Sequence, residues 1–160
     1  MSFTENKRRS LLLYILLTGI VAGTLDISAA MIQYRIRTGG DPVNVLHFVA
    51  GGLIGPRAFE GGPAIPFIGL LVHYCIAFAW VILFFLTYAR LWSKIPTVLL
   101  RAVIYGVLVY LLMNFAVLPL TSAPAMRPSM DSALREGLIL VLCIALPAAV
   151  GAGRYFRAAD

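Results

Sequence analysis

Charge is what this chain has least of. Lys, Arg, Asp and Glu together make up 12% of its residues, about half of the ~25% usual in a soluble domain. Cysteine is nearly absent too. Cys75 and Cys143 both lie in apolar runs, with neither a CxxC pair nor a zinc spacing. That excludes a disulfide framework and argues against a membrane thiol oxidoreductase; the two thiols read as small buried hydrophobes. Internal repeats, low-complexity tracts, phosphate-cradling glycine loops and haem-attachment motifs are also missing. What remains is apolar: 61% hydrophobic residues and a mean hydropathy of +0.90. A domain of this size needs far less apolar sequence to build a core, so the composition points to an integral membrane protein whose first partner is the lipid bilayer. The net charge of +6 then reads as orientation and contact with anionic headgroups, with no nucleic acid partner.

Four runs reach the ~20 residues that cross a ~30 Å hydrocarbon core. They cover residues 11–31, 65–88, 102–120 and 134–153. The expected fold is an all-α, single-domain bundle of four transmembrane helices. Lys7, Arg8 and Arg9 before an apolar run, with "SAA" at 28–30, imitate a signal peptide. The run is longer than a signal core, and Gly19, Gly23, Asp26 and Ala30 form a stripe at helical spacing, so it is expected to stay as a span. Lys7, Arg8, Arg9, Arg90, Lys94, Arg101, Arg154 and Arg157 would share one side of the membrane. Arg35, Arg37, Arg57, Arg127 and Arg135 would share the other, offset by Asp41, Glu60, Asp131 and Glu136. The positive-inside rule puts both termini in the cytoplasm. Tyr88, Trp92, Tyr155 and Phe156 suit the cytoplasmic interface belt.

The first external connection, 33–64, is unusually long for a passive loop. It contains "DPVNVLHFVAGGLIG". Asp41 as N-cap and Pro42 at the first helical position predict a short helix over 42–53, stopped by Gly55–Pro56. It is too short to span, so it is expected at the interface or dipping into the bundle, where His47 would help cover whatever lies beneath.

Each span carries one polar residue toward the external side: Asp26 in the first, His73 in the second, Asn114 in the third beside Tyr110, and Glu136 opening the fourth. Gly19 and Gly23 form a small-xxx-small motif that lets helix backbones approach, so Asp26 on the same stripe faces protein. The convergence predicts one polar pocket opening outward, with His47 above it. Bland readings stand beside this. Asn114 serves equally as interhelical glue, His73 as a hydrogen-bonded packing residue, and Glu136 as a helix N-terminal acid favoured by the dipole. Asp26 is the exception, since an acid within a span is functional by default. His47, His73, Asp26 and Glu136 are residue types that suit zinc or iron, but no two share a ligand spacing such as HxxxH. The sequence therefore names no metal or cofactor. Neither histidine has a local nucleophile motif, and Tyr110 and the hydroxyls of 121–124 make no triad order.

"GIVAG", the long connection after the first span, His73 near the top of the second, "PLTSAP" closing the third and the acid that opens the fourth resemble the YagU-type bacterial inner-membrane proteins, a domain of unknown function linked to acid tolerance. The resemblance implies a four-helix fold, a bacterial cytoplasmic membrane and a homodimer, and supplies no catalytic residues. The reading from residues is a small proton-linked transporter or permeation protein. In it Asp26 is the ion- or proton-binding acid, His73 its relay, Asn114 an orienting group and Glu136 a gate. A structural or assembly protein, and a metal-dependent membrane enzyme, are the alternatives.

Overall fold

The computed structural model describes residues 3–122 and 129–159. Arg127 in the charge count and positions 123–124 of the "TSAP" segment lie outside the described residues. Helix α1 runs over Phe3–Thr38, α2 over Asn44–Ile54, α3 over Ala64–Thr87, α4 over Val98–Leu112, α5 over Met130–Leu140 and α6 over Leu146–Ala159. No strand occurs among the described residues. Four stretches are long and apolar enough to cross a membrane: Lys7–Thr38, Ala64–Trp92, Val98–Leu120 and Met130–Ala158. Their outward faces are apolar. Leu12, Phe67, Leu71, Leu86 and Phe115 are 66–77% exposed, a surface that suits lipid and that a water-soluble monomer rarely presents.

Prolines explain where these helices leave the α-helical pitch. A proline has no N–H to give the carbonyl four residues earlier. Pro96, Pro119 and Pro147 thereby give no α-helical bond to the carbonyls of Trp92, Phe115 and Cys143; the Trp92 carbonyl accepts the Ile95 N–H at 3.1 Å instead. Each of those residues falls in a π-helical turn, over Tyr88–Trp92, Met113–Val117 and Val141–Ala145 respectively. The last of these joins α5 to α6 into one span. At the end of α2 the Gly52 carbonyl has no helical donor; it accepts the Ser122 backbone N–H at 3.0 Å and ties α2 to the chain leaving α4. Gly55, at φ 68°, ends α2 in a backbone shape that a side chain would strain.

Several boundaries differ from the sequence reading. The first helix continues through Gln33 to Thr38, so the connection is shorter and consists mostly of α2 and its flanking turns. Asp41 does not cap α2. Its Oδ1 accepts the Val43 N–H at 3.0 Å in a turn before the helix, and the first helical residue is Asn44. The fourth span starts at Met130, where the Ser129 hydroxyl accepts the Ser132 N–H at 3.2 Å. Asp131, paired with Arg135, is therefore the first-turn acid, and Glu136 sits nearly two turns in.

The bundle has two unlike ends. Where α1 begins, α3 ends, α4 begins and α6 ends, aromatic rings fill the interior. Phe84 stacks on Trp92 with centroids 5.1 Å apart and meets Tyr105 edge-on at 4.8 Å. Ala148, Ala149 and Ala152, all fully buried, let α6 lie close to its neighbours. At the other end α2 packs on α3. A Cβ on Gly69 would stand 2.0 Å from the Leu46 carbonyl oxygen, so the pairing requires glycine there.

Candidate functional site

The seam between α1 and α3 is built from glycine on one side and aromatics on the other. Gly19 lies under the Phe78 ring, 2.1 Å from where its Cβ would be, and Gly23 lies under the Tyr74 ring at 2.8 Å. This approach lets side chains of α3 reach the α1 backbone. His73 Nε2 donates to the Gly23 carbonyl oxygen at 2.9 Å. A carbonyl can only accept, so Nε2 carries a proton and Nδ1 is the nitrogen left free of this bond. Next to it the hydroxyls of Thr24 and Tyr74 are hydrogen-bonded at 2.7 Å.

One turn beyond Gly23, Asp26 lines a cavity of about 420 Å³ between all four spans, with α2 along its upper wall. His73, Asn114 and Glu136 line the same cavity. Asp26 lies within electrostatic reach of His73 and of Cys143. Its carboxylate makes no hydrogen bond or ion pair among the described residues, and His73 is bonded to the backbone instead of to Asp26. Asn114, in the π-turn after α4, donates its side-chain amide to the Tyr110 carbonyl of its own helix at 3.0 Å; this is a bond within α4 and not one across helices. Glu136 faces Tyr110 and feels the charges of Arg37 and Arg135.

His47 is the candidate that the fold places elsewhere. Its Nδ1 donates to the Ala58 carbonyl at 2.7 Å, in the turn that follows α2, and the ring is not part of the cavity wall. The α2 residues that do face the cavity, Val45, Phe48, Val49, Gly52 and Leu53, follow the i, i+3, i+4, i+7, i+8 pattern of one helical face. They are apolar. The cavity is thus a mainly apolar space with a few polar points, where the sequence suggested a polar pocket. Among the described residues no group of three or more His, Cys, Asp or Glu converges to share a metal ion.

Sequence reasoning missed the floor. Trp80 lines the cavity, and its buried indole N–H has no hydrogen-bond partner among the described residues. The Tyr105 hydroxyl donates to the Trp80 carbonyl at 2.6 Å and joins the floor to the aromatic end. A tryptophan three and seven residues after Ala77 and His73, on their face of the helix, was the signal. On that face the sequence marks only the polar residue, His73, as the site. Comparison with family models, with curated proteins and with solved structures finds no match.

Proposed function

We propose that the protein is a small multi-pass membrane transporter. Its cavity takes a small, largely apolar solute from one side, and Asp26 binds a proton or the solute's cationic group. One observation carries this reading. Asp26 stands in an apolar cavity without a hydrogen-bonding partner, and an acid so placed within a span costs several kcal/mol unless something solvates or neutralises it. His73, with Nε2–H committed to Gly23, has Nδ1 available to pass a proton toward Asp26. Glu136, compensated by arginines, guards the rim. The aromatic end closes the space below Trp80, which fits a carrier that opens to one side at a time better than a pore. A homodimer belongs to this reading, because a single closed bundle offers little interior for a second gate. So does the bacterial inner membrane, with both termini cytoplasmic, the setting that the YagU-like pattern and the Lys/Arg bias favour.

The test is proton movement. Protein reconstituted in pyranine-loaded liposomes and given an external acid pulse should acidify the lumen faster than empty liposomes, and Asp26→Asn, equally well folded, should not. Equal rates for the wild type and the variant would overturn the assignment of Asp26.

A second reading has its own support. His73 and Asn114 both satisfy helix carbonyls, as residues that only fix helix register would. If Asp26→Asn and His73→Gln change melting temperature but no flux, the polar set is structural and the protein belongs with assembly factors.

A further inference from the structure

At the aromatic end, far from the cavity, three hydrogen-bond donors meet over a glycine. A Cβ on Gly153 would stand 3.5 Å from Tyr88 Oη, 3.8 Å from Arg101 Nη1 and 3.9 Å from Arg157 Nη2. The three groups therefore surround one point that the absent side chain leaves open. They border a hollow of about 510 Å³ whose walls include Ser93, Val98 and Phe156.

Each donor is held in place. Arg101 is fixed by bonds from Nε and Nη2 to the Ile95 carbonyl, at 2.9 and 2.6 Å, and from Nη1 to Tyr88 Oη at 2.6 Å. Its guanidinium carbon lies 5.3 Å from the Tyr88 ring centre. That ring stacks on Phe156 with centroids 4.7 Å apart. Arg157 Nε donates to the Gly153 carbonyl at 3.0 Å, leaving both Nη groups to other acceptors. Tyr88 Oη already accepts from Arg101, so its own proton is available for an acceptor. Two guanidiniums repel, yet neither has a carboxylate partner among the described residues. A cluster of donors with like charge, spare N–H groups and no carboxylate beside it calls for an anion with several oxygens, and guanidinium forks match the oxygens of a phosphate.

We propose that Tyr88, Arg101 and Arg157 form a phosphate-binding site over Gly153. Arg101 lies in the first turn of its span and Arg157 in the last turn of its own, which is the depth of lipid headgroups. Basic pockets between spans hold anionic lipids in this way. A free phosphate group offers the same chemistry, and the test separates the two sources.

Purified protein in a neutral maltoside detergent is titrated with a short-chain phosphatidylglycerol, with phosphatidylcholine of the same chains, and with inorganic phosphate at constant ionic strength, following melting temperature. A lipid site gives saturable stabilisation by phosphatidylglycerol alone; a soluble-ligand site gives it with inorganic phosphate. Arg157→Gln should weaken whichever response appears by roughly tenfold in midpoint concentration, the size of one lost charge-assisted hydrogen bond. Gly153→Ala, whose methyl meets its neighbours at ordinary contact distance but occupies the meeting point, should weaken it while leaving both charges. No response to either phosphate source, a response equal to that of phosphatidylcholine, or unchanged midpoints in the variants that fold, would overturn the proposal.

Discussion

His73 reaches across the α1–α3 seam to bond the Gly23 carbonyl, at 2.9 Å. The bond exists because residue 23 has no side chain, and it places a proton on Nε2 of the imidazole. Three residues later on α1, Asp26 enters the cavity without such a bond. The two groups therefore share a space and an electrostatic field, while the backbone, and not the acid, orients the histidine.

This arrangement predicts coupling of intermediate size. In a double-mutant cycle on thermal or denaturant stability, Asp26→Asn and His73→Gln should show an interaction energy of about 0.5–1.5 kcal/mol, the lower part of the range for groups in one network. Additivity within ~0.3 kcal/mol would mean that the two sites act independently.

The glycines should differ in tolerance according to what a methyl group would strike. At Gly69 the obstacle is the backbone carbonyl of Leu46 at 2.0 Å, which cannot turn aside. At Gly19 it is the Phe78 ring at 2.1 Å, the outer part of a side chain with two free torsions. Gly69→Ala should cost more than ~2 kcal/mol and detach α2, whereas Gly19→Ala should cost nearer ~1 kcal/mol. Melting curves in detergent would rank them, and the reverse order would mean that α2 does not pack on α3 as described.

The bond from Ser122 N–H to the Gly52 carbonyl makes a local prediction for hydrogen exchange. Ser122 lies outside any helix, yet its amide should exchange at least tenfold more slowly than a free amide, together with the amides of α2. An unprotected Ser122 in the wild type would sever the link between α2 and the end of α4.

Trp80 and Tyr105 should respond in opposite ways to losing a polar atom. Trp80→Phe removes an indole N–H that has no partner among the described residues and should leave stability within ~1 kcal/mol, whereas Tyr105→Phe removes a 2.6 Å bond and should cost about 0.5–1.5 kcal/mol. Equal losses would show that the Trp80 N–H has an acceptor, such as a lodged solute or water.

The four long helices were legible because apolar run length alone determines them. The Gly19–Gly23 stripe was legible because close approach demands small residues at helical spacing. Four of the five polar candidates could be placed in one space by counting residues along spans. His47 could not, because a helix of eleven residues turns its faces according to what it packs on, and the Gly69 notch that decides this lies in another span. The Asp41 cap failed for a local reason: its side chain closed a turn two residues earlier than a cap would. The tight meeting of Tyr88, Arg101 and Arg157 joins three segments whose spacing carries no motif. Side-chain counting treated those arginines only as markers of orientation.

A helix containing a π-turn holds one residue more than its length requires, and that surplus rotates everything beyond it by about a quarter of a revolution relative to an unbroken α-helix. Where no proline follows, such a surplus can migrate one position at a time and screw part of a helix about its axis. Here Pro119 and Pro147 each stand two residues past their π-turn and leave it no way forward. The azimuth of the cavity walls contributed by α4 and the fourth span, Asn114 on one side and Ile144 on the other, is thus keyed by two proline rings. On the carrier reading, neither surplus can travel past its proline, so opening of this end would draw on movement of whole helices along the glycine seams.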